Sequence, residues 1–593
     1  MMGAHASMSR VSVAERTRLS VFLARGMVRR LIGRLTGLSL VRLPFLSGAP
    51  DRLVIAPQDL RTSDATRAAE IYAGRFAFGG KVVLCDARSP FEITGPSEDW
   101  LVSLHGFGWL RHLRAADSAI TRANARALVD EWIVRRSARD PIAGRPEVIA
   151  RRIMSWLSQA TLVLDDSDVR FYRRFIRSLT RQVRQLRHLA TEARDGVPRC
   201  QAAIALTFAA LCMANQARHL RAASKRLSEE LDRQILPDGG HISRNPGALL
   251  ELLVDLLPLR QVFATRNTPP PPALLNAIDR MMPMLRFFRH GDGNFALFNG
   301  MGPTRMDLLT TVLAYDDARG MPVANASHSG YQRLDAGGTV VIMDTGRPPP
   351  LSVSQEAHAG CLSFELSSRL NRIVVNCGLP ATGTESWRQV VRGTSAHSTV
   401  TFNDVSSCRF VDSGPIKRML QGTPIVGGPR DVEVVREDHN GGAALRASHD
   451  GYADTFGVIH QRILMLSGDG HRLDGEDTFT PVKGDSIPAG QDQFALRFHL
   501  HPSVKASRLT DSHGAMLMLP NKEVWTFSAY EDRIEIEESV HLAGTDGPRR
   551  TVQLVIYGRA RKVARVQWAF AQIAASPLSP VRRGRNEEPK LPL

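Results

Sequence analysis

Six cysteines in 593 residues, none of them in a Cys-x-x-Cys pair, give this chain no thiol framework to build on. Cys85, Cys200, Cys212, Cys361, Cys377 and Cys408 are too scattered for a zinc ribbon or a dense set of disulfides, and are expected as buried thiols. No apolar run reaches the roughly 20 residues that a membrane-spanning helix needs. The fingerprints of a P-loop, a dinucleotide fold and a zinc finger are all absent, so no specific nucleic-acid partner is expected. Acidic residues are also in deficit: 59 Asp and Glu face 76 Lys and Arg, a formal net charge of +17.

A field of that sign draws polyanions, whether nucleic acid, anionic lipid or uronic-acid polymers. Most of the excess is arginine, which pairs bidentately with carboxylates, although arginine-rich composition is also a genome-wide habit in many organisms. The hydrophobic fraction of 43% and charged fraction of 23% are those of an ordinary folded protein. The length exceeds what one core supports, so at least two domains are expected.

Four regions follow from the patterning. Residues 1–45 carry Arg10, Arg16, Arg18, Arg25, Arg29, Arg30, Arg34 and Arg42 among Leu19, Phe22, Leu23, Met27, Leu31 and Leu35, an amphipathic basic helix. Arginines interrupt its apolar face, so it is neither a clean cleavable signal nor a span. Peripheral membrane contact through residues 10–42 and simple packing on the next domain both stay open. Residues 46–320 show apolar recurrence at helical period from Trp100 to about Tyr315, as in Cys200 to Met213 (CQAAIALTFAALCM). Asp195-Gly196, Pro237 to Gly240 and Pro269 to Pro272 punctuate that run, which predicts helical hairpins in a bundle, solenoid or toroid.

Residues 321–575 change period. Gly338 to Met343 (GTVVIM), Leu362 to Leu366, Arg372 to Val375, Ser398 to Phe402, Val458 to Leu466, Phe494 to His501 and Arg533 to Glu537 are short, β-branched and separated by turn residues. This predicts an antiparallel all-β domain and excludes a doubly wound nucleotide fold there. Residues 576–593 have too few large apolar groups to pack and are expected to be disordered.

Five segments carry a likeness. They are Trp100 to Leu113 (WLVSLHGFGWLRHL) with Arg151 to Leu157 (RRIMSWL), Asp238 to Pro246 (DGGHISRNP), Gly291 to Gly300 (GDGNFALFNG), the run His358 to Leu366, Val375 to Gly378 and Arg392 to Thr399, and Arg497 to Pro502 (RFHLHP). In this order the chain resembles the heparinase II/III family of polysaccharide lyases. The resemblance implies an α+β multidomain architecture, an incomplete α/α toroid followed by a large antiparallel β-sandwich. It also implies β-elimination on acidic polysaccharides and a place in the cell envelope or periplasm. No clear cleavable signal supports export, so the cytoplasm stays open.

Elimination requires donors that stabilise a developing enolate and groups that move a proton from carbon and to oxygen. Where the family uses an Asn-His pair, a Tyr and a sheet His-x-His, this chain has Glu192-Ala193-Arg194-Asp195, a position near Ala248, and Glu356-Ala357-His358. The alternative to a lyase is therefore a glycan-binding or envelope-assembly protein that has lost the acid and base.

Candidate residues follow. Behind a Gly-rich turn, His241 is expected in proton transfer and Arg244 and Asn245 on a substrate carboxylate, unless His241 and Asn245 merely cap the next helix. No cofactor is required, but the likeness implies a structural zinc on His358 and His397. Asn376 stands where relatives carry the acid, and Asn is a poor zinc ligand. Cys377 or Cys361 could substitute; without metal, His358 and His397 become acid/base candidates with Glu356 orienting an imidazole. Arg392 is the second carboxylate candidate. Trp100, Trp109 and Trp156 read as core, as do His499 and His501.

Overall fold

A computed structural model describes residues 17, 19–24 and 52–573, less 87, 95, 136, 138–139, 317–319, 321, 384, 412–421, 440–441, 483–486, 488, 531 and 562–563. Most of the basic 10–42 segment and the whole 576–593 tail lie outside the described residues. No described helix is long and apolar enough to cross a membrane.

Helices run from Ala65–Tyr72 to Met306–Leu313. Their starts follow ordinary capping chemistry. Ser118 and Thr121 form a reciprocal capping box on Ala119–Val134, and the Asp168 carboxylate takes the Phe171 N–H ahead of Val169–Leu189. Helix Pro146–Ser158 packs on Val197–Cys212, which packs in turn on Ala217–Gln234 and Pro246–Thr265. This is an open α/α toroid. At its heart Trp156 is enclosed by Phe107, Trp132 and Phe175, with Phe175 stacked at 4.9 Å. Truncating a ring so enclosed costs about 3–5 kcal/mol.

Two large antiparallel sheets follow, with a two-stranded pairing of Arg409–Phe410 and Ile425–Gly427 beside them. One has nine strands, with Ile534–His541, Arg549–Arg559, Gln493–Leu500, Asn371–Val375, Phe364–Ser368, Thr339–Asp344, Tyr331–Ala336 and Asn325–Ala326 in order, and Val400–Phe402 added beside Gln493–Leu500. The other has eight, from Val432–His439 to Lys505–Arg508. Phe364 of the first stacks on Trp568 of the second at 5.5 Å.

The strand Thr339–Asp344 shows how the halves join. All six of its residues are buried. Alternate side chains leave a strand on opposite faces. Val340 and Ile342 accordingly enter the toroid core, while Val341 and Met343 enter the core between the sheets. A sheet covered on both faces explains the unbroken apolar run in place of alternation.

Candidate functional site

A cleft of about 1180 Å³ opens where the toroid meets the nine-stranded sheet. Arg61, Arg67, Arg111, Arg151, Arg194 and Arg305 line it, together with Lys81. Carboxylates enter too, as Glu147, Asp195, Glu251 and Glu356.

Of the expected site residues, His241 and Asn245 reach this cleft. Helix Pro246–Thr265 explains both. Asn245 is its N-cap, accepting the Gly247 N–H at 2.8 Å, and Pro246 occupies the first turn where no N–H is needed. His241 takes the Ser243 N–H on Nδ1 at 3.2 Å, with Ser243 Oγ 2.7 Å from the same nitrogen. Its proton therefore sits on Nε2, 3.0 Å from Gln234 Oε1. Burial pushes this imidazole down to about 4, so it is neutral near pH 7.

Arg244 turns the other way. Its backbone is left-handed at φ +62°, and its donors go to the carbonyls of Ser329 at 2.7 Å and Gly330 at 2.9 Å and to the Asp344 carboxylate at 2.5 Å. The approach is so close that a Cβ on Gly346 would lie 2.4 Å from the guanidinium. Arg244 is a tie between the two halves, committed before any ligand arrives, and this corrects its expected role on a substrate carboxylate.

Arg392 is likewise buried. It donates to Ala357 O at 2.8 Å and Ser354 O at 2.9 Å and lies over Phe410. Its work is to hold the 354–357 loop that carries Gln355 and Glu356 to the cleft wall, which corrects its expected contact with substrate.

His358 and His397 are brought together behind that wall, outside the cleft lining. His397 Nδ1 lies 2.8 Å from the Gly393 carbonyl and donates to it, so its Nε2 accepts from His358 Nδ1 at 3.0 Å. Burial holds both pKa values down, that of His397 to about 4. The expected zinc partner Asn376 spends Oδ1 on the Ser398 N–H at 3.0 Å. Among the described residues no group of three or more His, Cys, Asp or Glu could hold a metal. This donor set does not fit a structural zinc. Cys361 and Cys377 are buried thiols whose pKa values burial raises, and neither completes a site.

The positions implied by resemblance do face the cleft, with other side chains on them: Arg194 and Asp195 for the Asn-His pair, Ala248 for the Tyr. Trp100 and Trp156 are core, and Trp109 is buried while touching the cleft lining. Sequence reasoning passed over Arg61, Arg111 and Arg151. Arg61 pairs with Asp255 at 2.7 and 3.0 Å and reaches Asp59 at 3.4 Å. Arg151 lies 3.3 Å from Asp255 and 3.7 Å from Asp59, closing a quartet of two cations and two anions. For Arg151 the one available signal was an arginine on a face of a mostly apolar helix; Arg61 precedes the first helix of the toroid and gives no such signal.

Residues 318–569 match the model of the heparinase II/III-like C-terminal family. FtsZ-localized protein C of Caulobacter vibrioides is 33% identical over 547 residues, covering 90% of this chain and 92% of its own. Among solved structures, heparinase III is similar with a TM-score of 0.68 at 13% identity, covering 96% of this chain and 93% of its own. A mutant of heparan sulfate lyase HepC from Pedobacter heparinus gives 0.61 at 14%, covering 94% and 88%. At such identities the structural likeness establishes a polysaccharide lyase-like fold.

Proposed function

This chain belongs to the heparinase II/III-like family, and we propose that it takes an acidic, uronate-bearing polysaccharide into the cleft between its halves and cleaves it by β-elimination. The observation that carries this reading is the excess of cations in the lining, six arginines and a lysine against four carboxylates around a space of about 1180 Å³. Such a lining concentrates a polyanion and neutralises the carboxylate next to the carbon that loses its proton. Neutral His241 is the base: its Nδ1 takes the C5 proton once Ser243 is displaced. The C4–O bond then breaks, a C4=C5 double bond forms, and the departing oxygen takes a proton from Glu251. Glu251 opens to the cleft, its Oε1 accepting from Gln201 Nε2 at 3.0 Å, and partial desolvation with Asp255 and Glu356 nearby raises its carboxyl pKa, which suits it to carry that proton.

A second reading is binding without cleavage. It is favoured by a specific observation: both nitrogens of His241 are already hydrogen-bonded, and no tyrosine is among the described residues lining the cleft. Incubation with a panel of acidic glycans separates the two. Ultraviolet-absorbing unsaturated products that disappear in His241→Ala establish elimination; saturable binding without products establishes the second reading; neither result on any glycan sinks both.

FtsZ-localized protein C of Caulobacter vibrioides is named for localisation with FtsZ, and on that likeness we propose that this chain too localises with FtsZ, in preference to the periplasm; a fluorescent fusion that ignores FtsZ would overturn that proposal.

A further inference from the structure

The arginines of the cleft are not equivalent. Arg61 and Arg151 are neutralised by Asp59 and Asp255, and Arg305 by Asp307 at 3.0 Å. Arg194 and Lys81 are exposed to water. Arg111 is half-buried against the quartet, and no ion pair among the described residues includes it. Its Nε donates to Thr62 O at 2.9 Å and its Nη1 to Gly108 O. No hydrogen bond among the described residues uses its Nη2, on a side chain that lines the cleft.

Arg152 shows what a purely structural arginine without a carboxylate looks like in this fold. Its Nε, Nη1 and Nη2 reach Gln182 Oε1, His105 O and Ala143 O at 2.6, 2.9 and 3.1 Å, Trp132 covers it, and it lies outside the cleft lining. All three of its nitrogens are engaged. Arg111 differs in the one respect that matters for a ligand, a terminal nitrogen with no hydrogen bond among the described residues on a side chain that lines the cleft.

The next residue adds a second donor. His112 also lines the cleft, and its Nδ1 accepts the Asp64 N–H at 3.1 Å. The neutral ring therefore carries its proton on Nε2, for which no acceptor exists among the described residues. Arg111 and His112 both line the cleft, so a guanidinium Nη2 and a neutral imidazole N–H are both offered to an oxyanion there.

We propose that Arg111, assisted by His112, is the anchor for one uronate carboxylate in the cleft. This rests on the acidic-glycan reading and names the residue that selects the charged sugar. Burial, with Arg151, Arg61 and Arg305 close by and Asp59 opposing, pushes the Arg111 pKa down to about 10, so it stays cationic at pH 7 while making no direct ion pair among the described residues. A half-buried cation without a direct partner is a cost to the empty protein that a bound carboxylate reduces. Stability and binding should therefore respond to its removal in opposite directions.

The test is calorimetric titration of the full chain with trigalacturonate, and with neutral galactotriose as the uncharged control. Arg111→Gln is expected to weaken trigalacturonate binding at least tenfold, leave any galactotriose binding unchanged, and melt at or above the wild-type temperature. Arg111→Lys should restore charge but not the paired geometry, recovering only part of the affinity. Wild-type binding that survives Arg111→Gln intact overturns the anchor and leaves the glycan reading standing. A melting temperature that falls together with the affinity marks Arg111 as structural and also overturns it. A wild type that binds neither trigalacturonate nor any other acidic glycan ends both.

Discussion

The β half buries two imidazole pairs, and they end differently. His449 accepts the Gly451 N–H on Nδ1 at 2.9 Å and turns Nε2 to His460 Nδ1 at 3.3 Å; His460 Nε2 then reaches Asp477 at 2.6 Å. Asp477 also receives Arg462 at 2.9 and 3.2 Å and Trp568 Nε1 at 2.8 Å. Every proton in that chain has a destination, and the last group is a carboxylate with a matching cation. The His358–His397 pair runs the same way but stops short: His358 Nε2 is buried with no partner, and so is Asn376 Nδ2. A pair that ends on a carboxylate is framework. The pair that ends on a backbone carbonyl, as His397 does on Gly393, keeps an unused lone pair on His358 behind the wall of the cleft.

The largest effect that would break this comparison comes from the closed pair. Asp477→Asn leaves Arg462, fully buried, without its counter-charge. Losing one partner of a buried ion pair costs about 3–5 kcal/mol. Urea unfolding should register that loss; a variant as stable as wild type would mean that the carboxylate does not organise the pair.

Acid separates the two pairs next. His397 titrates near 6.5 when unfolded but is held to about 4 in the fold by burial, with the Gly393 carbonyl opposing. The unfolded chain thus takes up a proton below pH 6.5 that the folded chain refuses. The stability His397 contributes is complete above 6.5 and is lost as pH falls towards 4, by roughly 3 kcal/mol for a shift of this size. His460 is also lowered by burial, but its hydrogen bond to Asp477 works against that. His397→Gln should therefore flatten the acid limb of a stability curve between pH 6.5 and 4 more than His460→Gln does, measured by denaturant titration at stepped pH.

How much of this was legible in the sequence divides along physical lines. Helical period and β-branched runs locate Val197–Cys212, Thr339–Asp344 and Val458–Ser467 because burial imposes those patterns directly. His241 and Asn245, singled out behind the Gly-rich turn, both line the cleft. That turn could not say that Arg244, between them, takes a left-handed backbone and turns into the seam, since one residue's φ leaves no periodic trace. Arg151 and Arg152 make the same point on one helix: adjacent arginines, one in the cleft and one sealed beneath Trp132. Residue type cannot tell which will be used, because the answer lies in carbonyls and carboxylates that arrive from 30 to 100 residues away.

The smallest expected effect sharpens the comparison by giving the open pair the ending it lacks. Ser398, adjacent to His397, donates its N–H to Asn376 Oδ1 at 3.0 Å, so residue 376 already stands beside the imidazoles. Asn376→Asp keeps that acceptor while supplying a carboxylate, at a cost of several kcal/mol without metal in so buried a position; the effect read here is only the small shift on adding zinc. It also creates the two-histidine, one-carboxylate donor set that zinc accepts. Added zinc should then raise the melting temperature of Asn376→Asp by about 1 °C for each kcal/mol of binding free energy in a chain of this size. Wild type, with His397 Nε2 and Asn376 Oδ1 already occupied, should not move. Equal zinc stabilisation of both would show that the amide is no barrier to a metal, and the difference between the two pairs would lose its cause.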